Sequence, residues 1–364
     1  MTNIHIDCTL GFSSKTGIGY VTRLLIYTYL KLGFNCDVYI NKSEMEIKEY
    51  LHDYMINLFP TKSNLGKLNF YESRFKPFNF LSKYIFNTKT PKVIFCPHQY
   101  PSRINKEMRN NSQINFIVHD LCYLLENYYD DYLGFLKVIF LNKRIEKYSL
   151  QKNCTIYCPR ISTIEKIKNK ILKGKEYKCN FETFPIPYFF GHNSYLDRDN
   201  KLQSNKYILT ISNIRGNKGI KTYLELVNQS PNLNFIFVGN IDEYKLYKKH
   251  QNLKILKNLS DNDLFALLLN CKVLLSTSRC EGLCLPVCRA NALKIPTACF
   301  KLDIYNNDEF KFLHFIDTKN LSLTSEWLQS KYINDDSKKI LNAKDLEIID
   351  HNKFKSLEEI LRKT

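Results

Sequence analysis

The sequence is most informative first for what it lacks. No uninterrupted apolar run approaches the roughly 20 residues that span a bilayer, and the opening MTNIHIDCTLGF has no basic-then-apolar leader design. A cytosolic chain is the expectation. The 12 cysteines include no CxxC pair; Cys280, Cys284 and Cys288 recur every fourth residue with no fourth ligand close in sequence, which argues against a metal. Scattered through a long chain, the thiols are expected to be reduced. There is no complete GxGxxG fingerprint, and no acidic residue ends a second strand as a nicotinamide ribose would require. No carboxylate pair stands out for two-acid glycoside hydrolysis. Acidic residues are also in deficit, 36 against 53 basic ones, for a net charge of +17. Such an excess attracts an anionic partner, whether nucleic acid, membrane surface or phosphorylated small molecule.

What is present is an ordinary globular balance, 44% hydrophobic and 24% charged over 364 residues, enough for about two domains. Short apolar runs alternate with helical stripes, the mark of parallel α/β units. Strands are expected at Ile4 to Cys8, Cys36 to Ile40, Lys92 to Cys96, Ile114 to Val118 and Cys154 to Tyr157. The pattern restarts at Tyr207 to Ile211, Asn234 to Val238, Lys272 to Ser276 and Thr297 to Phe300. Val21, Leu24, Leu25, Tyr29 and Leu32 mark one helix stripe, and Ile220, Tyr223, Leu224 and Val227 another. Residues 188–206 are polar and aperiodic, which predicts a linker between an N-terminal domain, 1–187, and a C-terminal domain, 207–349. Ile333 to Asp350 is charged and irregular, and the closing helix within 350–364 is expected to pack back on the first domain. Two doubly wound domains facing each other would put a ligand at the carboxyl ends of their strands.

Four segments carry groups suited to chemistry. Gly17 and Gly19 lie just before the first helix, where glycine permits a tight turn or close approach to a phosphate at a helix start. His119 and Asp120 follow the strand that ends in Val118, so the imidazole either meets a ligand or is held by its own loop. SNIRGNKGI places Arg215 and Lys218 after a strand, either on an anion or in solvent. STSRCEGLCLPVCRA sets Glu281 and Gly282 before a helix with Pro286 in its first turn. A carboxylate for hydroxyls beside free N–H groups for a phosphate suits a sugar phosphate.

In this last segment the chain resembles the retaining glycosyltransferases of family 4, which have the GT-B fold of two Rossmann-like domains. The family's S-x-x-E-G-F-G-L-P-x-x-E-A is matched by Ser278, Arg279, Cys280, Glu281, Gly282, Leu283, Cys284, Leu285, Pro286, Val287, Cys288, Arg289 and Ala290. TGIGYVTRLL, IVHDL, NIRGNKG, FIFVGN and NLSDNDLFALLLNCKVLLSTSRCEG are similar to other family segments, in the family's order and over nearly the whole chain. The resemblance implies transfer of a hexose, such as mannose or glucose, from a UDP- or GDP-sugar, with retention and without a metal or other cofactor. The acceptor would be a glycan, lipid or protein-linked group, compatible with peripheral membrane association. Lys218 and Arg215 would neutralise the departing diphosphate, while Glu281 and His119 would hold the sugar. Gly17, Gly19, Gly239, Gly282, Leu283, Cys284, Leu285 and Arg289 would line the donor.

Two departures inside the hallmark matter. Arg289 replaces a glutamate, and a guanidinium donates where a carboxylate accepts. Cys284 replaces a glycine. Both leave open an inactive or feeble sugar-nucleotide-binding protein. The Asp197, Arg198, Asp199 triplet spells DxD but sits in the polar linker, the wrong context for a metal. The lysines at 166, 168, 170, 173, 175 and 178 are the best patch for a nucleic-acid reading, with a solvated helix face as the alternative. The helix expected at Asn127 to Phe140 would be a wall or a binding surface.

Overall fold

A computed structural model describes residues 3–9, 12, 17–59, 65–73, 92–98, 106–124, 132–190, 206–212, 216–239, 250–306, 309–333 and 343–364. The chain divides into two compact units, with boundaries at Pro187/Tyr188 and again at Asp350/His351. Each unit holds one parallel sheet. The first contains β1 (Asn3–Asp7), β2 (Asn35–Ile40), β3 (Leu68–Glu72), β4 (Val93–Cys96), β5 (Gln113–Ile117), β6 (Cys154–Cys158) and β7 (Asn180–Thr183). Its order is β3-β2-β1-β4-β5-β6-β7. The second contains β8 (Ile208–Ile211), β9 (Phe235–Val238), β10 (Leu253–Leu256), β11 (Val273–Ser276), β12 (Thr297–Cys299) and β13 (Leu313–Phe315). It runs β10-β9-β8-β11-β12-β13.

Why these segments form strands is plain in the second sheet. Ile208, Val273, Leu275, Phe235 and Phe237 face one apolar cluster with Tyr223 and Val227, while Leu209, Leu274 and Val238 face another with Phe265 and Val287. Successive side chains point to opposite faces, and both faces are covered, so central strands read as unbroken apolar runs. Every strand expected from sequence forms, within one residue at each end. The four that were not expected, β3, β7, β10 and β13, are the four sheet edges. They carry LNFYE, NFET, LKIL and LHF with largely half-buried or exposed side chains. An edge strand needs neither a continuous apolar run nor clean alternation.

The first unit is closed by the helix Gly17–Lys31, whose stripe Val21, Leu24, Leu25 and Tyr29 is buried. The last helix, Ala343–Arg362, begins within the stretch expected to be irregular. Its second half belongs to the first unit, where Lys31 Nζ lies 2.8 Å from Glu358 Oε1 and the Tyr29 hydroxyl 2.7 Å from Thr364 Oγ1. The helix expected at Asn127 to Phe140 is Tyr132–Ser149, and Asn127 itself lies outside the described residues. The segment expected to be a linker starts as core: Tyr188 and Phe189 are buried in the second unit. Their backbone N–H groups donate to Asp350 Oδ1 and Oδ2, at 2.7 and 2.5 Å. One buried carboxylate thereby ties the point where the chain enters this unit to the point where it leaves. Residues 191–205, including Asp197, Arg198 and Asp199, lie outside the described residues.

The lysine-rich stretch forms two consecutive short helical segments, Ile161–Lys166 and Ile167–Leu172, followed by a loop. Lys168 lies over the Tyr177 and Phe181 rings, 5.1 and 5.3 Å from their centroids, and Lys175 pairs with Glu146 at 3.2 Å. Asp350→Ala leaves two buried N–H groups without an acceptor, each worth about 1–3 kcal/mol. Urea unfolding should show a stability loss of about 2–5 kcal/mol; an unchanged midpoint would remove the clasp from the account.

Candidate active site

In the second unit the site is built where β8 and β11 end. After β8 the chain turns through Gly216–Lys218 into the helix Ile220–Gln229. After β11 it loops through Thr277 to Cys284 into the helix Leu285–Ala292. These two loops are sewn together. Arg279 N donates to Asn217 O at 2.7 Å, Asn217 Nδ2 to Cys280 O at 3.0 Å, and Thr277 Oγ1 to Lys218 O at 3.0 Å. Gly219 permits the approach: its φ is +58°, and a Cβ there would lie 2.1 Å from Thr277 O.

The seam brings Lys218 Nζ into an ion pair with Glu281 Oε1. Both side chains are largely but not fully buried, 21% and 15% exposed, so a ligand can reach them. Beside the pair is a small open pocket lined by Lys218, Thr210, Ser212, Ser276, Thr277 and Ser278 with Ile211, Ile220 and Phe237. Thr210 Oγ1 and Thr277 Oγ1 are spent on backbone carbonyls. Ser212 Oγ is buried without a hydrogen bond among the described residues. One ammonium amid hydroxyl donors is a seat for an anion. Arg215, expected to share that task, lies outside the described residues.

Around Glu281 the backbone turns sharply into the next helix. Gly282 is buried and Leu283 half-buried. Cys284 takes φ 55° and ψ 69°, the left-handed conformation natural to glycine, and no side chain caps the helix that Leu285 begins. Such a residue costs about 1–2 kcal/mol, and burial of its side chain offsets part of it. Its Sγ lies 3.8 Å from Ser276 Oγ. Burial first, then the Glu281 carboxylate, push the thiol up to about 12, so it stays protonated and inert at neutral pH. Cys288 Sγ donates to Leu283 O at 3.2 Å. Ten cysteines are free and buried.

Two expected donor residues have work of their own. Arg289 Nε donates to Tyr188 O at 2.6 Å, which holds the start of the second unit against this helix. Gly239 follows β9 with φ +146°, and a Cβ there would lie 1.8 Å from Ser212 O. It is needed to bring β9 and β8 ends together beside the pocket.

The first unit presents its own groups at its strand ends. Gly17 opens its helix, is exposed, and has open space where a Cβ would go; Gly19 is buried two residues on. Neither packing nor backbone strain within this unit demands glycine at 17. His119 follows β5, and its Nε2 donates to Pro97 O at 2.8 Å. Nδ1 is then the acceptor of a neutral ring. Burial holds its pKa below 6.5, and nearby His98 lowers it further, against the raising effects of the Pro97 carbonyl and Asp120. Asn217 and Gly219, which no catalytic motif singles out, were missed by sequence reasoning; a glycine just before a helix was their one signal.

With this geometry established, the chain can be set beside known proteins. Residues 195–319 match the family described as glycosyl transferases group 1. No curated protein matches the sequence. Sucrose-phosphate synthase from Thermosynechococcus elongatus is 10% identical with a TM-score of 0.69, covering 100% of this chain and 99% of that one. A mutant of S. aureus TarM, solved with fondaparinux, alpha-GlcNAc-glycerol and UDP, is 13% identical with a TM-score of 0.65 and coverage of 100% and 99%. The pneumococcal O-GlcNAc transferase GtfA, solved with UDP and GlcNAc, is 12% identical with a TM-score of 0.57 and coverage of 100% and 98%. The chain has the GT-B fold of these structures, with two Rossmann-like units.

Two outcomes follow from the site. Gly219→Ala forces a Cβ onto Thr277 O at positive φ, so chemical denaturation should show a loss of about 2–5 kcal/mol; a loss below about 0.5 kcal/mol would contradict the close approach. For His119 the folded pKa lies below the unfolded 6.5, so between the two the unfolded chain binds more protons and stability rises with pH. The stability difference between wild type and His119→Gln should therefore be constant above pH 6.5 and shrink as pH falls below it.

Proposed function

We propose that the protein is a retaining, metal-independent glycosyltransferase that moves a hexose from a nucleoside-diphosphate sugar to a glycan, lipid or protein-linked acceptor. The reading is carried by the Lys218 and Glu281 pair beside a hydroxyl-lined anion pocket, inside the segment that matches glycosyl transferases group 1. Neighbouring structures solved with UDP and sugars support the same ligand class.

In this reading the acceptor hydroxyl attacks the anomeric carbon from the leaving-group side. The sugar–phosphate C–O bond breaks, and the departing diphosphate oxygen takes the acceptor's proton. Lys218 neutralises the charge that builds on the diphosphate, with Glu281 fixing the ammonium and offering its other oxygen to sugar hydroxyls. His119 accepts a sugar hydroxyl at Nδ1, and Gly17 gives a ligand close access to the first helix. Catalysis is positioning and electrostatic stabilisation. The donor is a UDP- or GDP-hexose such as glucose or mannose, and the setting is cytoplasmic, with peripheral association at a membrane. No resident cofactor is required.

A second reading, a sugar-nucleotide-binding protein with little turnover, is favoured by one observation: Arg289 is engaged with Tyr188 O where the hallmark has a carboxylate. A cation about 4 Å from a phosphate oxygen is worth about 4 kcal/mol at an effective dielectric near 20. A third of that is tenfold in rate. Lys218→Ala and Glu281→Ala should each lower sugar transfer or donor hydrolysis at least about tenfold with circular dichroism unchanged, and EDTA should leave the rate as it was. Full activity in both variants would sink the assignment, as would a strict metal requirement. Tight UDP or GDP binding with no turnover would select the second reading.

A further inference from the structure

In the first sheet the chain runs outward through β2 and β3 on one side and through β4 to β7 on the other, so β1 and β4 flank the switch point. Ligands of open α/β sheets bind outside the carboxyl ends of strands at such a point. Asp7 is the last residue of β1, and His98 lies two residues beyond β4. Their side chains are 0% and 1% exposed, and His98 Nε2 lies 3.6 Å from Asp7 Oδ2. The other carboxylate oxygen, Oδ1, accepts from Thr9 N at 3.2 Å and Thr9 Oγ1 at 2.7 Å. A carboxylate removed from water this completely is tolerated only when donors and a basic partner surround it. Asp7 thus accepts two hydrogen bonds from Thr9 on one oxygen and has the buried His98 ring against the other, at a distance beyond a hydrogen bond.

The residue before His98 is Pro97, whose carbonyl takes the Nε2 proton of His119. A ring is oriented by what its second nitrogen bonds, and a backbone carbonyl is the usual partner. We propose that Asp7 and His98 are positioning residues for His119: their buried contact anchors the Pro97–His98 turn, and the Pro97 carbonyl holds the His119 ring as its Nε2–H tautomer, so that Nδ1 is kept as a hydroxyl acceptor. The inference rests on the transferase reading only for what Nδ1 accepts. The anchoring itself lies wholly within the first unit.

The test separates the two. Nitrogen-15 spectra of the imidazoles in the full-length protein report the His119 tautomer with no substrate present, the His119 signals being assigned with His119→Gln. Wild type should show a single Nε2–H form, and His98→Ala a mixture that includes Nδ1–H. His98→Gln, which keeps a polar side chain of similar reach against Asp7, should restore the single form, and Asp7→Asn should fall between. In donor hydrolysis, His98→Ala should lower kcat about tenfold with KM changed less than about twofold, and His98→Gln should recover most of the loss. A single unshifted Nε2–H form in folded His98→Ala overturns the proposal even if the enzyme is an active transferase. So does a mixed form in His98→Gln, the variant that keeps the test available if the alanine does not fold. A protein with no transferase activity but the expected tautomer series would keep the positioning pair and overturn the function instead.

Discussion

The carbonyl of Thr277 occupies the place that a side chain on residue 219 would need. This contact fixes the distance between the two loops that leave β8 and β11, and the rest of the second unit's chemistry depends on it. With the loops sewn together, Lys218 cannot swing into solvent without leaving Glu281, and Glu281 is held where a ligand on the ammonium would touch it. The cost of the arrangement is backbone freedom: a left-handed glycine at 219 and a left-handed cysteine at 284, both at helix starts. Strain of this kind persists where surrounding structure over-determines it, and such places are commonly ligand sites.

The substitutions that set this chain apart from its hallmark act locally. Cys284 takes a left-handed backbone natural to glycine and adds a buried, protonated thiol beside the pair at the start of the next helix. Arg289 does more. Its guanidinium holds Tyr188, whose backbone is held in turn by Asp350, so the helix that carries it is tied to the junction of the chain.

Much of the fold was legible because buried parallel strands must be apolar on both faces. FIFV, VLLS and ILTI, short and bounded by turn residues, read as such strands. The edges, β3, β7, β10 and β13, were illegible for the complementary reason, being covered on fewer sides. Tyr188 and Phe189 were read as the start of a polar linker because the residues that follow dominate the window, although their rings belong to the core. The site was legible in part. Lys218, Glu281 and His119 stand at strand ends, where α/β proteins place ligands, and their types suit an anion and a hydroxylated sugar.

Sequence alone determined that the chain makes two parallel α/β units and that acid, base and cation stand at the carboxyl ends of their strands, since strand periodicity and the strand-to-helix turn are local properties. Tertiary structure decided which of those groups touch. Lys218 and Glu281 are 63 residues apart, Asp350 and Tyr188 are 162 apart, and His119 meets Pro97 across 22. No local rule links such positions. They meet because sheet order sets neighbouring strands side by side, and because a missing Cβ at 219 lets two loops close the last few ångströms.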